Sequence, residues 1–413
     1  MTQTGANSGH GGGSRKTRAA KRMKEIMTEY YLEAMSAGDS GKKVAWITSG
    51  GPVEPLLAMD VIPIYPENHS AMIGASKMGA DFCAQAEVLG YPRDLCSYAR
   101  ADIACSRSGG GPIGGLPRPD MLICCTNICS TVLKWYEVQA RFFQAPLFIL
   151  DTPLCHGELT REAEAYARQQ IDEYIAFLEG VLGRPFDFER LEEVGRLSIQ
   201  AQRLWREVLQ TAVHSPAPLS AFDAFFHLAL IVTLRGTQVC VDYYGQLLSE
   251  LQKRIDQGIG AVFQEKYRLI WDNLPVWPRT KWLSETFASR GACLVADTYT
   301  AAWCSTLDLL DESDFLSSMA GAYSRIHLNL GLDRMAETII QLLDFYRADG
   351  LVMHSNRSCK PYSFGQYDIQ RLVQDRTGLP VVILEADMVD DRAFAESQVE
   401  TRIEAFMEML EQR

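Results

Sequence analysis

Eight short runs of almost unbroken apolar residues, four on either side of a long stretch that has none, limit this chain more than any other feature. The first set is KKVAWITSG (42–50), DVIPIYPEN (60–68), PDMLICCTN (119–127) and APLFILDTP (145–153). The second is KYRLIWDN (266–273), ACLVADTYT (292–300), DGLVMHSN (349–356) and LPVVILEAD (379–387). A strand with one wet face alternates apolar and polar residues, whereas a strand covered on both faces does not. Each run ends in a polar or proline-marked turn, and helical periodicity intervenes, as over 71–90, 129–143 and 334–348. The pattern predicts an α/β fold with two doubly wound parallel sheets.

At 413 residues the chain exceeds one ordinary core. Residues 1–14 are polar and glycine-rich and are expected to be a disordered leader. An amphipathic helix over 15–35, with Met23, Ile26, Tyr30 and Leu32 on one side, opens a first α/β lobe that runs to 160. Residues 161–260 read as a helical insert, and 261–413 as a second α/β lobe that repeats the architecture of the first without a residue-level repeat. A net charge of −12 argues against nucleic acid as a partner, so any anionic substrate needs a local basic pocket. AFFHLALIVTL (224–234) contains a histidine and falls short of the ~20 residues of a membrane span. No membrane association is expected. Without an apolar leader, the chain is expected in the cytoplasm, where thiols stay reduced. Its eleven cysteines then point to metal, catalysis or burial. Cys124, Cys125, Cys155, Cys240 and Cys293 lie in or beside apolar runs and are expected to be buried.

Ligands of open α/β sheets gather at the carboxyl ends of the strands. Cys129 and Cys359 each follow such an end, and Cys96 in DLCSYARAD can reach the same rim. Three sulfurs on one inorganic group leave one metal position open for chemistry. Yet there are no CxxC knuckles and no ferredoxin spacing, so by spacing alone buried thiols are the default and a cluster the alternative. The other strand ends carry Ser49-Gly50-Gly51, Glu67-Asn68-His69, Asp272-Asn273 and Asp297-Thr298-Tyr299. Ser49 could cap the next helix, Glu67 could be a surface-turn carboxylate, and His69 a packing residue. Arg357 could meet an anionic ligand or form a surface ion pair. Trp135, Tyr136 and Trp271 read as core. Gly109-Gly110-Gly111 does not match a phosphate-binding GxxxxGKS and reads as a flexible loop.

Six blocks carry a family resemblance: YPENH (65–69), LCSYAR (95–100), TNICSTVLKWYE (126–137), EKYRLIWDNLPVW (265–277), ADTYTAAW (296–303) and HSNRSCKPYSFGQ (354–366). Together they resemble the 2-hydroxyacyl-CoA dehydratase family, α-type subunit, whose superfamily includes ATP-dependent benzoyl-CoA reductases. The resemblance implies two Rossmann-like lobes with a 4Fe–4S cluster between them, ligated at Cys96, Cys129 and Cys359. It implies that Ser49 and Glu67 lie by the open iron where the thioester carbonyl binds. The implied reaction eliminates water from an (R)-2-hydroxyacyl-CoA through a ketyl radical, giving the 2-enoyl-CoA. Its implied partners are an acyl-CoA substrate, a homologous second subunit and an ATP-hydrolysing iron–sulfur activator; this chain has no P-loop. Reductive dearomatisation of benzoyl-CoA is the alternative. A two-lobed binding module, which would be colourless, is a third.

Overall fold

In the computed structural model, residues 17–413 are described; the expected leader lies outside them. All eight predicted strands form: β1 (Lys43–Ile47), β2 (Val61–Ile64), β3 (Met121–Cys125), β4 (Leu147–Leu150), β5 (Tyr267–Asp272), β6 (Ala292–Asp297), β7 (Gly350–Asn356) and β8 (Val381–Ala386). They make two four-stranded parallel sheets, ordered β2-β1-β3-β4 and β6-β5-β7-β8. The two orders are the same. In each sheet the chain leaves the first strand toward one edge, then returns to the first strand's other side. The strand order therefore reverses between β1 and β3, and again between β5 and β7. At such a reversal the flanking loops turn away from each other and leave a crevice at the carboxyl ends.

Burial explains the unbroken apolar runs. In β1, Val44 and Trp46 join one hydrophobic cluster while Ala45 and Ile47 join another. The Trp46 side also holds Ile270, Leu351 and Met353 of the second sheet, so the two sheets share one core. The Ala45 side packs under Trp205, Tyr244 and Leu247 of the helical stretch. The far face of the second sheet, through Leu269, Val352 and Leu384, is covered by Ile403 and Phe406 of helix Glu396–Glu411. Apart from edge strand β4, where Leu147 and Phe148 are half-buried and Ile149 is exposed, both faces of the sheets are covered, which removes the reason for polar alternation.

Between β4 and β5 the chain is helical, principally Arg161–Leu182, Phe188–Gln210 and Gln238–Asp256. Side chains of Thr160, Asp187 and Thr237 cap these helices by accepting backbone N–H groups. Trp205 donates its indole N–H to Thr300 O at 3.0 Å, fastening this layer to the loop after β6. Among the described residues no helix is long and apolar enough to cross a membrane.

Two expectations need correction, and one alternative, a surface turn at Glu67, falls away. The first helix is Arg18–Met35, begun by Thr17, and Leu32 faces solvent at 64% exposure while Tyr31 takes the buried place beside Tyr30. The helix expected over 71–90 is two, Pro66–Ala75 and Gly79–Val88. Pro66 sits in the first turn with its φ preset for helix, so the first of these begins before residue 71. The break falls where Lys77 takes φ 59° and Gly79 passes Val389 so closely that a Cβ would lie 2.2 Å from its carbonyl oxygen. Glu67 is consequently in the first turn of a helix and buried, not in a surface turn.

Candidate active site

The crevices of the two sheets meet in one cavity enclosing about 1210 Å³, part of it open to solvent. Ser49 and Cys129 reach it from beyond β1 and β3, Leu274 and Cys359 from beyond β5 and β7, and Glu67 and Cys96 from helix starts. Its remaining walls come from the loop after β6 (Tyr299, Trp303), from helix Phe315–Ser324 and the turn after it (Tyr323, Ile326, His327), and from the helical stretch (Gln202, Arg235).

The three thiols share one local design. Cys96 and Cys359 stand at the N-caps of helices Ser97–Ser108 and Lys360–Ser363, and Cys129 lies two residues before helix Thr131–Phe143. Backbone N–H groups of Tyr98 and Ala99 face the Cys96 sulfur, those of Thr131 and Val132 face Cys129, and that of Tyr362 faces Cys359. Such donors favour a thiolate. Burial outweighs them and pushes the Cys96 thiol up to about 12, with Cys129 and Cys359 also raised. The three lie within reach of one another's charge: Cys129 raises Cys96, and both raise Cys359. Among the described residues no group of three or more His, Cys, Asp or Glu side chains is arranged to hold a single metal ion.

Local bonds explain how distant segments arrive together. Ser97 donates its N–H to Ser358 Oγ at 3.1 Å, and Ser358 in turn bonds Asp387. Arg100, buried, bonds Leu95 O at 3.1 Å, Glu87 at 2.9 Å and Asp390 at 3.2 Å, and so holds the Cys96 loop against the second sheet. On the other side, Asn127 donates to Gly50 O and to Tyr323 O, both at 2.8 Å. Gly50 is required there, since a Cβ would lie 2.6 Å from Ile128 Cγ2.

Glu67 accepts the Ser49 backbone N–H at 3.0 Å on one oxygen and the Tyr136 hydroxyl at 3.2 Å on the other. Burial nevertheless pushes its carboxyl up to about 7, against these two donors. A group poised there can give or take a proton at neutral pH. Ser49 Oγ is buried and has no hydrogen-bond partner in the protein, although it lines the cavity. It does not cap a helix. His327 Nε2 is likewise buried and unpartnered, and burial brings this imidazole down to about 4, so it is neutral.

Other residues singled out in the sequence have structural places. His69 is buried with neither ring nitrogen bonded and does not line the cavity. Arg357 pairs with Glu385 at 3.2 Å on the surface. Asp272 accepts from Thr298 at 2.8 Å, Asn273 donates to His354 O at 2.7 Å, and Asp297 caps the turn at Thr300. Trp135 is buried but also lines the cavity, donating to Asp102 at 2.7 Å. The glycine run packs against the protein: Cys105 donates to Gly110 O, and Gly111 fits over His69 with room only for hydrogen. Sequence reasoning missed His327, Arg235 and Gln202. For Arg235 there was a signal, a lone cation closing the apolar run LALIVTLRG; for the others there was none.

Comparison with known proteins agrees in scope with this architecture. A family model described as 2-hydroxyglutaryl-CoA dehydratase, D-component, matches residues 48–410. The chain is 36% identical to the (R)-2-hydroxyisocaproyl-CoA dehydratase alpha subunit of Clostridioides difficile, over 97% of this chain and 98% of that one. It is 33% identical to the lactoyl-CoA dehydratase alpha subunit of Anaerotignum propionicum, over 92% and 93%. It is 30% identical to one of the benzoyl-CoA reductase subunits of Thauera aromatica, over 95% and 94%.

Proposed function

The chain belongs to the 2-hydroxyglutaryl-CoA dehydratase D-component family, and on that premise we propose that it is the α-type subunit of an (R)-2-hydroxyacyl-CoA dehydratase. The enzyme removes water from a 2-hydroxyacyl-CoA to give the 2-enoyl-CoA. The observation that carries this reading is the convergence of Cys96, Cys129, Cys359, Ser49 and Glu67 on one cavity at the meeting of two sheet crevices.

The donor set suits a 4Fe–4S cluster. Three thiols line one largely apolar chamber, each with at least one backbone N–H aimed at its sulfur. Cys96, Cys129 and Cys359 would hold the cluster between the two Rossmann-like halves. When bound, such a cluster supplies a low-potential electron and a Lewis-acidic iron.

The chain's own residues do the rest. Ser49 Oγ, free of protein partners, donates to the thioester carbonyl. Glu67, held in place by Ser49 N–H and Tyr136 O–H, is neutral below about pH 7 and gives its proton to the departing hydroxyl. The carboxylate so formed takes the β-proton, and Glu67 ends neutral, as it began. Elimination is thereby proton-balanced at one group. The apolar wall keeps bulk water from the reacting carbons.

A homologous second subunit and an ATP-hydrolysing iron–sulfur activator complete the system, which works in the cytoplasm; eleven unpaired cysteines suit that reducing compartment. Anaerobic purification with iron and sulfide determination tests the reading. Cys96→Ser, Cys129→Ser and Cys359→Ser each lose the cluster, whereas Cys124→Ser, at a buried position within β3, keeps it. Identity to a benzoyl-CoA reductase subunit favours a second reading, reduction of an aromatic thioester. Assay of the complex with benzoyl-CoA and with 2-hydroxyacyl-CoAs separates the two, because only the reductase consumes electrons stoichiometrically.

A further inference from the structure

The cavity's lining is notable for a missing charge. Among the described residues that line it, Arg235 is the only arginine or lysine, Glu67 is the only acidic residue and is neutral below about pH 7, and His327 is neutral. The charge of Arg235 is already paired within the protein. Its Nε donates to Glu54 at 3.1 Å, one terminal nitrogen to Ile231 O at 3.2 Å and the other to the Tyr323 hydroxyl at 2.6 Å. Tyr323 passes its own proton to the other Glu54 oxygen at 2.8 Å, and Ser198 donates to Glu54 at 2.6 Å. Burial opposes ionisation of Glu54, but the Arg235 guanidinium and these hydroxyls hold its carboxyl below the usual range. Arginine and glutamate are both buried and neutralise each other. Around them the wall is apolar, with Val132, Trp135, Leu274, Trp303, Leu310 and Ile326.

From this pairing we infer that the acyl group handled by this site is uncharged and bulky, a branched aliphatic or aromatic 2-hydroxyacyl chain, and that Glu54 is the residue that excludes a dicarboxylic one by occupying Arg235. The inference rests on the dehydratase reading above. A terminal carboxylate on the acyl chain would enter a dry chamber without a cation to meet it, and unpaired burial of a charge is strongly unfavourable. A short acyl group would leave most of the wall in contact with water. The anionic nucleotide of CoA faces the same lack of cations and must lie outside the chamber, so the acyl tail is left with a surface that is mostly apolar.

The test is equilibrium binding to the purified, cluster-loaded complex, read by titration calorimetry with thioesters that lack the 2-hydroxyl and cannot react. 4-Methylpentanoyl-CoA and 3-phenylpropanoyl-CoA should bind about a hundredfold more tightly than glutaryl-CoA. Leu310→Arg, which puts an unpaired cation into the wall, should narrow that gap by about tenfold. Glutaryl-CoA binding within about tenfold of the other two overturns the inference. If 2-hydroxyglutaryl-CoA is also dehydrated, only the inference falls and the dehydratase reading stands. Failure of all three thioesters to bind a complex that contains its iron would overturn both.

Discussion

Ser97 and Ser358, 261 positions apart in the sequence, are joined by a hydrogen bond of 3.1 Å from the backbone N–H of one to the hydroxyl of the other. Cys96 precedes the first and Cys359 follows the second. The bond therefore fixes how a thiol from the first half meets a thiol from the second. Ser358→Ala would leave Ser97 N–H and the Asp387 carboxyl without this partner inside the protein. The expected loss is about 1–3 kcal/mol of stability. Iron per chain after anaerobic purification should fall as well, and chemical denaturation with iron determination measures both.

Ser49→Ala separates stability from turnover. Its hydroxyl bonds nothing in the protein, while the backbone N–H that holds Glu67 survives the substitution. The variant should unfold within about 0.5 kcal/mol of the parent. Turnover should fall about a hundredfold, the scale of losing one donor to a reacting oxygen. Melting curves and kcat on the same preparation check the two halves.

Glu67 should set the alkaline limb of the rate profile. With its carboxyl at about 7, the proton it gives to the leaving hydroxyl is present at pH 6 and mostly absent at pH 8. kcat should decline as pH rises through about 7. Glu67→Gln should lower kcat by about 10²–10⁴ and abolish that limb. A limb that persists in the variant would remove Glu67 from the proton transfer.

Asp102 predicts a pH dependence of stability. Burial raises its carboxyl from the ordinary 3.8 to about 6, against hydrogen bonds from Gln139 and Trp135. The folded state therefore favours the protonated acid. Stability from this group is fully present below pH 3.8 and is lost as pH rises through about 6, in total by about 3 kcal/mol. Trp135 and Gln139 both donate to one oxygen, which asparagine retains. Asp102→Asn should gain on the parent between pH 4 and 7, as read by urea unfolding at both values.

The sequence made some of this legible and hid the rest, for physical reasons. A strand covered on both faces is close to continuously apolar, so most of the strands were visible in the residues themselves; edge strand β4 shows the same pattern although it is partly exposed. The crevice position of Ser49, Cys129 and Cys359 followed from where those strands end. Glu67 was harder: nothing nearby distinguishes a turn carboxylate from one buried by Tyr136, whose hydroxyl arrives from 69 residues away. His327 and Gln202 were invisible as site residues, and Arg235 showed only as a lone cation closing an apolar run. They come from helices and turns whose periodicity records burial but not which cavity they border. Leu32 failed for a related reason, since neighbouring Tyr31 competes for the same inward place and wins it against Met72.

The chamber's floor belongs to neither sheet. Gln202 and Arg235 hang from the helical layer, which the sheets support but do not need for strand pairing. The three thiols and this part of the lining thus come from physically separate parts of the fold. Change in the layer can retune which molecules are admitted while the machinery beneath stays as it is, and lineages built on this plan can diversify diet without rebuilding the engine.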